Sequence, residues 1–175
     1  MALILGIDPG SRLTGYGIIN ALGNRFEYVC SGCLRLQNET HQLRLKQIFE
    51  GITQIIVEYS PQQAAIEEVF LGKSVASALK LGQARGSAMV ACLQQDLPLS
   101  EYSARKVKQT VTGSGSAAKT QVQHMVKILL GLSGKLQEDA SDALAIAICH
   151  ANTQAGLLRI SDAASFSRSR LQQRP

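Results

Sequence analysis

Tryptophan is missing from this 175-residue sequence, aromatic residues make up 5% of it, and proline occurs four times. No uninterrupted apolar stretch approaches the roughly 20 residues needed to cross a bilayer, which excludes a membrane-spanning helix. The first residues do not run from a basic segment through an apolar stretch to a small-residue cleavage site, so a cytoplasmic location is the expectation. The three histidines, His41, His124 and His150, are scattered, and of the four cysteines only Cys30 and Cys33 lie close together. Their C-x-x-C falls in "EYVCSGCLRL", which alternates like a strand. Strand residues three apart point to opposite faces, which is wrong for a shared metal or a redox pair, and a second ligand pair is lacking. Buried, reduced cysteines are therefore expected, not zinc, redox or disulfide chemistry. The sequence has no internal repeat.

What remains is ordinary for a soluble globular protein: 45% hydrophobic and 18% charged residues, in a chain long enough to bury a sizeable core as one domain. Strand-like runs come first, at about 2–8, 14–21 and 26–36, with "LGNR" as a turn. The first two flank a short Gly/Ser-rich loop and read as a hairpin. Apolar residues at helical spacing (Leu43, Leu45, Ile48, Ile52, Ile55, Ile56) predict a helix over 40–58, and Pro61 closes it. "QAAIEEVF" at 63–70 reads as a strand, 73–95 as a long helix of small and apolar residues, and "LPLSEY" at 97–102 as a fifth strand. Helices follow at about 103–111, 118–131 and 139–152. Strands first, then strand and helix in alternation, indicate an α/β domain: a five-stranded mixed sheet flanked by helices. The domain is expected over residues 1–154, with 155–175 a flexible C-terminal tail.

Charge is unevenly distributed. Residues 1–70 carry five Lys/Arg against seven Asp/Glu, residues 71–137 nine against two, and the remainder four against four. Such a basic block is either a solvated face or the footprint of a polyanionic partner. Four acids stand in unusual places. Asp8 ends the apolar strand "LILGID", Glu67 lies inside "AAIEEVF", and Asp139 and Asp142 sit three apart at the start of an Ala-rich helix, hence on one face. Singly, Asp8 fits a turn in Asp-Pro-Gly, and the helix pair fits N-terminal capping. Together they have the makings of a metal-binding cluster. Carboxylates within about 4–6 Å repel and rise in pKa unless a cation relieves them. Mg²⁺ takes oxygen ligands, and two such ions roughly 3.5–4 Å apart can activate a water and stabilise the leaving oxygen of a phosphodiester. An acid cluster beside a basic block points to a metal-dependent nuclease.

Five blocks, "ILGIDPGSRLTGYGII", "AIEEVF", "ALKLGQARG", "EYSARKVKQTVTGSGSAAKTQVQHMV" and "DASDALAIAICH", resemble in order and spacing those of RuvC, the bacterial Holliday-junction resolvase family. The likeness runs from about residue 2 to 152. It implies a ribonuclease-H-like fold and a homodimeric, Mg²⁺-dependent endonuclease with two ions per subunit, for which Mn²⁺ can substitute. Its substrate would be four-way junction DNA, nicked symmetrically on two opposed strands to leave 5′-phosphate and 3′-hydroxyl ends in recombination and repair. The family also implies the RuvA–RuvB branch-migration complex as a partner. Carried over by motif, Asp8, Glu67, Asp139 and Asp142 would be catalytic metal ligands. Lys108 and Lys119 would be catalytic and DNA-binding, Phe70 would stack on unpaired bases and Lys73 would contact phosphate. "ALKLGQARGSAMVACL" would be the dimer helix, with Gly82 and Gly86 allowing close approach. Two other classes stay open: a non-catalytic junction-binding module, and an ATPase of the actin and sugar-kinase type.

Overall fold

The computed structural model describes residues 2–23, 25–37, 40–69 and 74–171, with side chains described as far as Leu157. Its elements run β1 (Ala2–Asp8), β2 (Leu13–Leu22), β3 (Arg25–Arg35), α1 (His41–Tyr59), β4 (Gln63–Glu67), α2 (Val75–Gln94), β5 (Leu99–Tyr102), α3 (Ala104–Thr112), α4 (Lys119–Leu130) and α5 (Glu138–Leu171). The five strands form one sheet in the order β3-β2-β1-β4-β5. β1 is central, paired antiparallel with β2 and parallel with β4, so the expected mixed sheet and the opening hairpin are both present. Thr14, fully buried, closes the hairpin loop by donating its hydroxyl to the Gly10 carbonyl at 3.0 Å.

The apolar alternation of the strands divides the core in two. Leu5, Ile7, Ile18 and Ile66 face one way and pack on Ile48 and Ile52 of α1 and the buried alanines of α2. Ile4, Ile19 and Ala65 face the other way and pack on α3, α4 and the segment 144–149 of α5. The helix ends follow local chemistry: Ser103 caps α3 by accepting from the Lys106 amide at 3.3 Å, and Gly113 ends it at φ 83°. Cys30 packs on the α1 side while Cys33 lies across the sheet against α5, as the strand period requires.

α5 extends beyond its expected end. The apolar spacing predicts it over 139–152, but the helix continues to Leu171. The segment after residue 152 holds one glycine and no proline before Pro175, so nothing in it stops helix propagation. Within the buried part of α5, His150 is 2% exposed and joins three elements. Its Nδ1 accepts from the Tyr102 hydroxyl at 2.9 Å, and its Nε2–H donates to Gln63 Oε1 at 2.9 Å. Among the described residues no helix is long and apolar enough to cross a membrane.

Candidate functional site

The alternation that buries Ile7 and Ile66 on the α1 and α2 side turns the next residues, Asp8 and Glu67, to the opposite face. Both are the last residues of adjacent strands, one step beyond the Ile7–Ile66 pair. Two acids far apart in sequence thus meet at one end of the sheet. α5 brings the others. It can lie directly on the sheet because β1 and β2 carry glycine where it crosses. A Cβ on Gly6 would fall 2.0 Å from the Ala143 carbonyl oxygen, and one on Gly15 would fall 2.1 Å from that of Asp139. Glycine inside a strand marks such close backbone approach. No pattern of apolar spacing marks it, so these positions were not singled out in advance.

Asp8, Glu67 and Asp142 line a half-open cavity of about 300 Å³ together with Lys108 of α3 and Lys119 of α4, over an apolar floor that includes Val107 and Val122. Asp139 lies outside that lining. Its main chain rests against Gly15, and its charge still bears on Asp8 and Cys33. Glu68 and Glu138 also stand outside the lining, but Glu138 takes part in the site's electrostatics. Lys119 Nζ lies 2.7 Å from Asp142 Oδ2 and 2.6 Å from Glu138 Oε1. Phe70 and Lys73 lie outside the described residues.

The charges are under strain. Burial first, then Asp142, Glu67 and Asp139, push the Asp8 carboxyl from 3.8 up to about 8. Burial and Asp142 raise Glu67, with Lys119 and Lys108 pulling the other way. Burial also raises Asp142, against the pull of the hydrogen bond from Lys119. Burial lowers Lys119, but its bonds to Asp142 and Glu138 outweigh that and hold it above its ordinary value. Among the described residues no three His, Cys, Asp or Glu side chains stand in ready-made metal-binding geometry. The donor set nevertheless suits a hard divalent cation: carboxylate oxygens only, raised pKa values that a cation would relieve, and an ammonium group already drawn in as counter-charge.

Residues 4–150 match the family model described as crossover junction endodeoxyribonuclease RuvC. This chain belongs to the RuvC family. A RuvC protein from Photobacterium profundum is 57% identical over 168 residues, covering 96% of this chain and 97% of that protein. One from Pseudoalteromonas translucida is 56% identical over 165 residues, covering 94% and 95%. Among solved structures, Thermus thermophilus RuvC in complex with Holliday junction substrate superposes with a TM-score of 0.83 at 29% identity, covering 89% of this chain and 96% of that one. The yeast mitochondrial Holliday junction resolvase shares the fold, with a TM-score of 0.68 at 12% identity over 93% and 84% of the two chains. The RuvC fold is ribonuclease-H-like, as the resemblance of the five sequence blocks implied, and the five-stranded mixed sheet agrees with it.

Proposed function

We propose that this chain is a structure-specific endonuclease that resolves four-way (Holliday) DNA junctions by paired symmetric nicks, acting in homologous recombination and DNA repair. The observation that carries this reading is the convergence of Asp8, Glu67 and Asp142 with Lys108 and Lys119 on one half-open cavity. A polyanion entering that cavity would meet Lys108 of α3 and Lys119 of α4, both in the basic 71–137 block, beside the acids of β1, β4 and α5. Asp8, Glu67, Asp139 and Asp142 would hold Mg²⁺, two ions per subunit, with Mn²⁺ able to replace it. Such ions supply Lewis acidity toward a water molecule and a phosphodiester oxygen.

The protein's own groups do the rest. Lys108 holds the phosphate and offsets charge that builds on it during cleavage. Lys119, freed from Asp142 and Glu138, turns from counter-ion to phosphate ligand. Asp8, held protonated near neutral pH by burial and by its acidic neighbours, would give up its proton to let a cation bind. The products would be 5′-phosphate and 3′-hydroxyl ends. By the family resemblance, Phe70 would stack on unpaired bases and Lys73 would contact phosphate. A four-way junction has approximate two-fold symmetry, so an isologous homodimer presents one cavity to each of two equivalent strands. The RuvA–RuvB complex is the proposed partner and the bacterial cytoplasm the proposed location.

A synthetic four-way junction and a linear duplex, each with Mg²⁺ or EDTA, test this reading. Paired nicks on the junction alone, abolished by EDTA, are expected. Asp8→Asn should bind the junction without cutting it. Robust cutting by that variant would remove Asp8 from the site, and ATP hydrolysis by the wild type would favour the kinase-like alternative. Lys108→Ala and Lys119→Ala should each slow cutting about 100- to 1,000-fold, the range for loss of one group that stabilises developing charge.

A further inference from the structure

Glu67 is the last residue of β4, where the chain leaves the sheet. A carboxylate in that position points where its backbone points, and an unsecured strand end frays. On the far side the ladder reaches one residue further, the Glu68 amide donating to the Tyr102 carbonyl at 2.9 Å. The carbonyl of Glu67 itself is held by something else. Arg85, in the middle of α2, donates from Nε to the Glu67 backbone oxygen at 3.0 Å. Its other end forms an ion pair with Glu101 of β5. The Arg85 side chain is 18% exposed and that of Glu101 45%. Arg85 is thus committed to protein partners on two strands and does not line the cavity.

We propose that Arg85 is a positioning residue for Glu67, with Glu101 as the anchor that aims it. Holding the Glu67 carbonyl fixes rotation about the bond between its Cα and carbonyl carbon, and with it the line along which the carboxylate enters the cavity. A planar guanidinium suits this task. It offers donors in a rigid fork, one branch for a carbonyl and another for a carboxylate, whereas a lysine ammonium on a flexible stem cannot span both with the same geometry. Support of this kind keeps a reacting group within the narrow tolerance that chemistry demands. The inference rests on the proposed role of Glu67 in strand cleavage and adds a residue to which that role assigns nothing.

Single-turnover cleavage of a synthetic four-way junction by excess protein tests it, alongside junction affinity in EDTA and the thermal midpoint. Arg85→Gln should cut about 10- to 100-fold more slowly, the cost of a misplacement near 1 Å, with unchanged junction affinity. Arg85→Lys should recover only part of that rate. Glu101→Gln should also slow cutting, and the double variant should be no slower than Arg85→Gln alone, because the two act as one unit. Wild-type rates in Arg85→Gln, additive losses in the double variant, or a fall in affinity that matches the fall in rate would each overturn the proposal. Should Arg85→Gln fail to fold, Glu101→Gln decides: its anchor is half-exposed, and normal cutting there ends the proposal. A wild-type protein that cuts no junction overturns the nuclease reading itself and this inference with it.

Discussion

Asp8 binds its proton more tightly in the folded protein than its ordinary value of 3.8 allows, because burial and three neighbouring acids all disfavour the charge. The sign of the linkage follows. The contribution to stability is complete below the unfolded value and is lost as pH rises through about 8. Glu67 and Asp142, raised for the same reason, act in the same direction. In EDTA the thermal midpoint of the wild type should therefore carry a falling component from about pH 4 to about pH 8. Asp8→Asn, always neutral, should melt higher than wild type at the upper end of that range and equal to it near the lower end. A midpoint for Asp8→Asn that stays below wild type throughout would show that the carboxylate is not strained. Mg²⁺ should stabilise the wild type more than the variant, since only the former recovers electrostatic energy on binding it.

At the scale of elements, the placement of α5 on the sheet governs which acids meet. Gly15→Ala would drive a methyl group into the Asp139 carbonyl. Overpacking of this kind costs about 1–3 kcal/mol or more, and here the cost falls where the acids are brought together, so both denaturant midpoint and cleavage rate should drop. A Gly15→Ala protein with wild-type cutting would mean that α5 has slack the structure does not show. His150 secures the far part of the same helix. His150→Leu leaves the Tyr102 hydroxyl and the Gln63 amide oxygen without their buried partner, and should cost about 1–3 kcal/mol for each group left bare, read by chemical denaturation. The strands, the helices and three of the acids that meet at the cavity, Asp8, Glu67 and Asp142, were legible beforehand, because period, turn residues and family motifs all report on short stretches. The glycine bed, the Arg85 clamp and the Lys119–Asp142–Glu138 contact were not. Each joins residues whose proximity is created by topology: Arg85 with Glu67 across a crossover, Gly15 with Asp139 across a helix-on-sheet contact. The continuation of α5 past residue 154 was missed for a different cause, since Gly156 and the serines of 155–171 obscure the helical spacing of its apolar residues.

For the whole molecule, α2 presents an outer seam. Val75, Leu79, Val90 and Leu93 are each more than half exposed, and Gly82 and Gly86 lie on the same run with open space around them. Positions three and four apart share a face, so these six residues form one small and apolar stripe on the helix proposed to pair with a second copy. Leu79→Glu should shift the sedimentation profile toward monomer and convert paired nicks into single unpaired ones. A dimer of unchanged strength in that variant would place the interface elsewhere. Binding to the junction should weaken steeply with salt, as expected when Lys108, Lys119 and the rest of the basic block displace counter-ions from phosphate.

At Gly6 and Gly15 the contact between α5 and the central strands is main chain against main chain. Side chains can trade rotamers and volumes when a neighbour changes, but peptide groups have no such reserve. The gap between the helix acids and the strand acids is consequently set by the thickness of two polypeptide backbones. Aliphatic residues elsewhere in the interior can be exchanged over generations without altering that ruler.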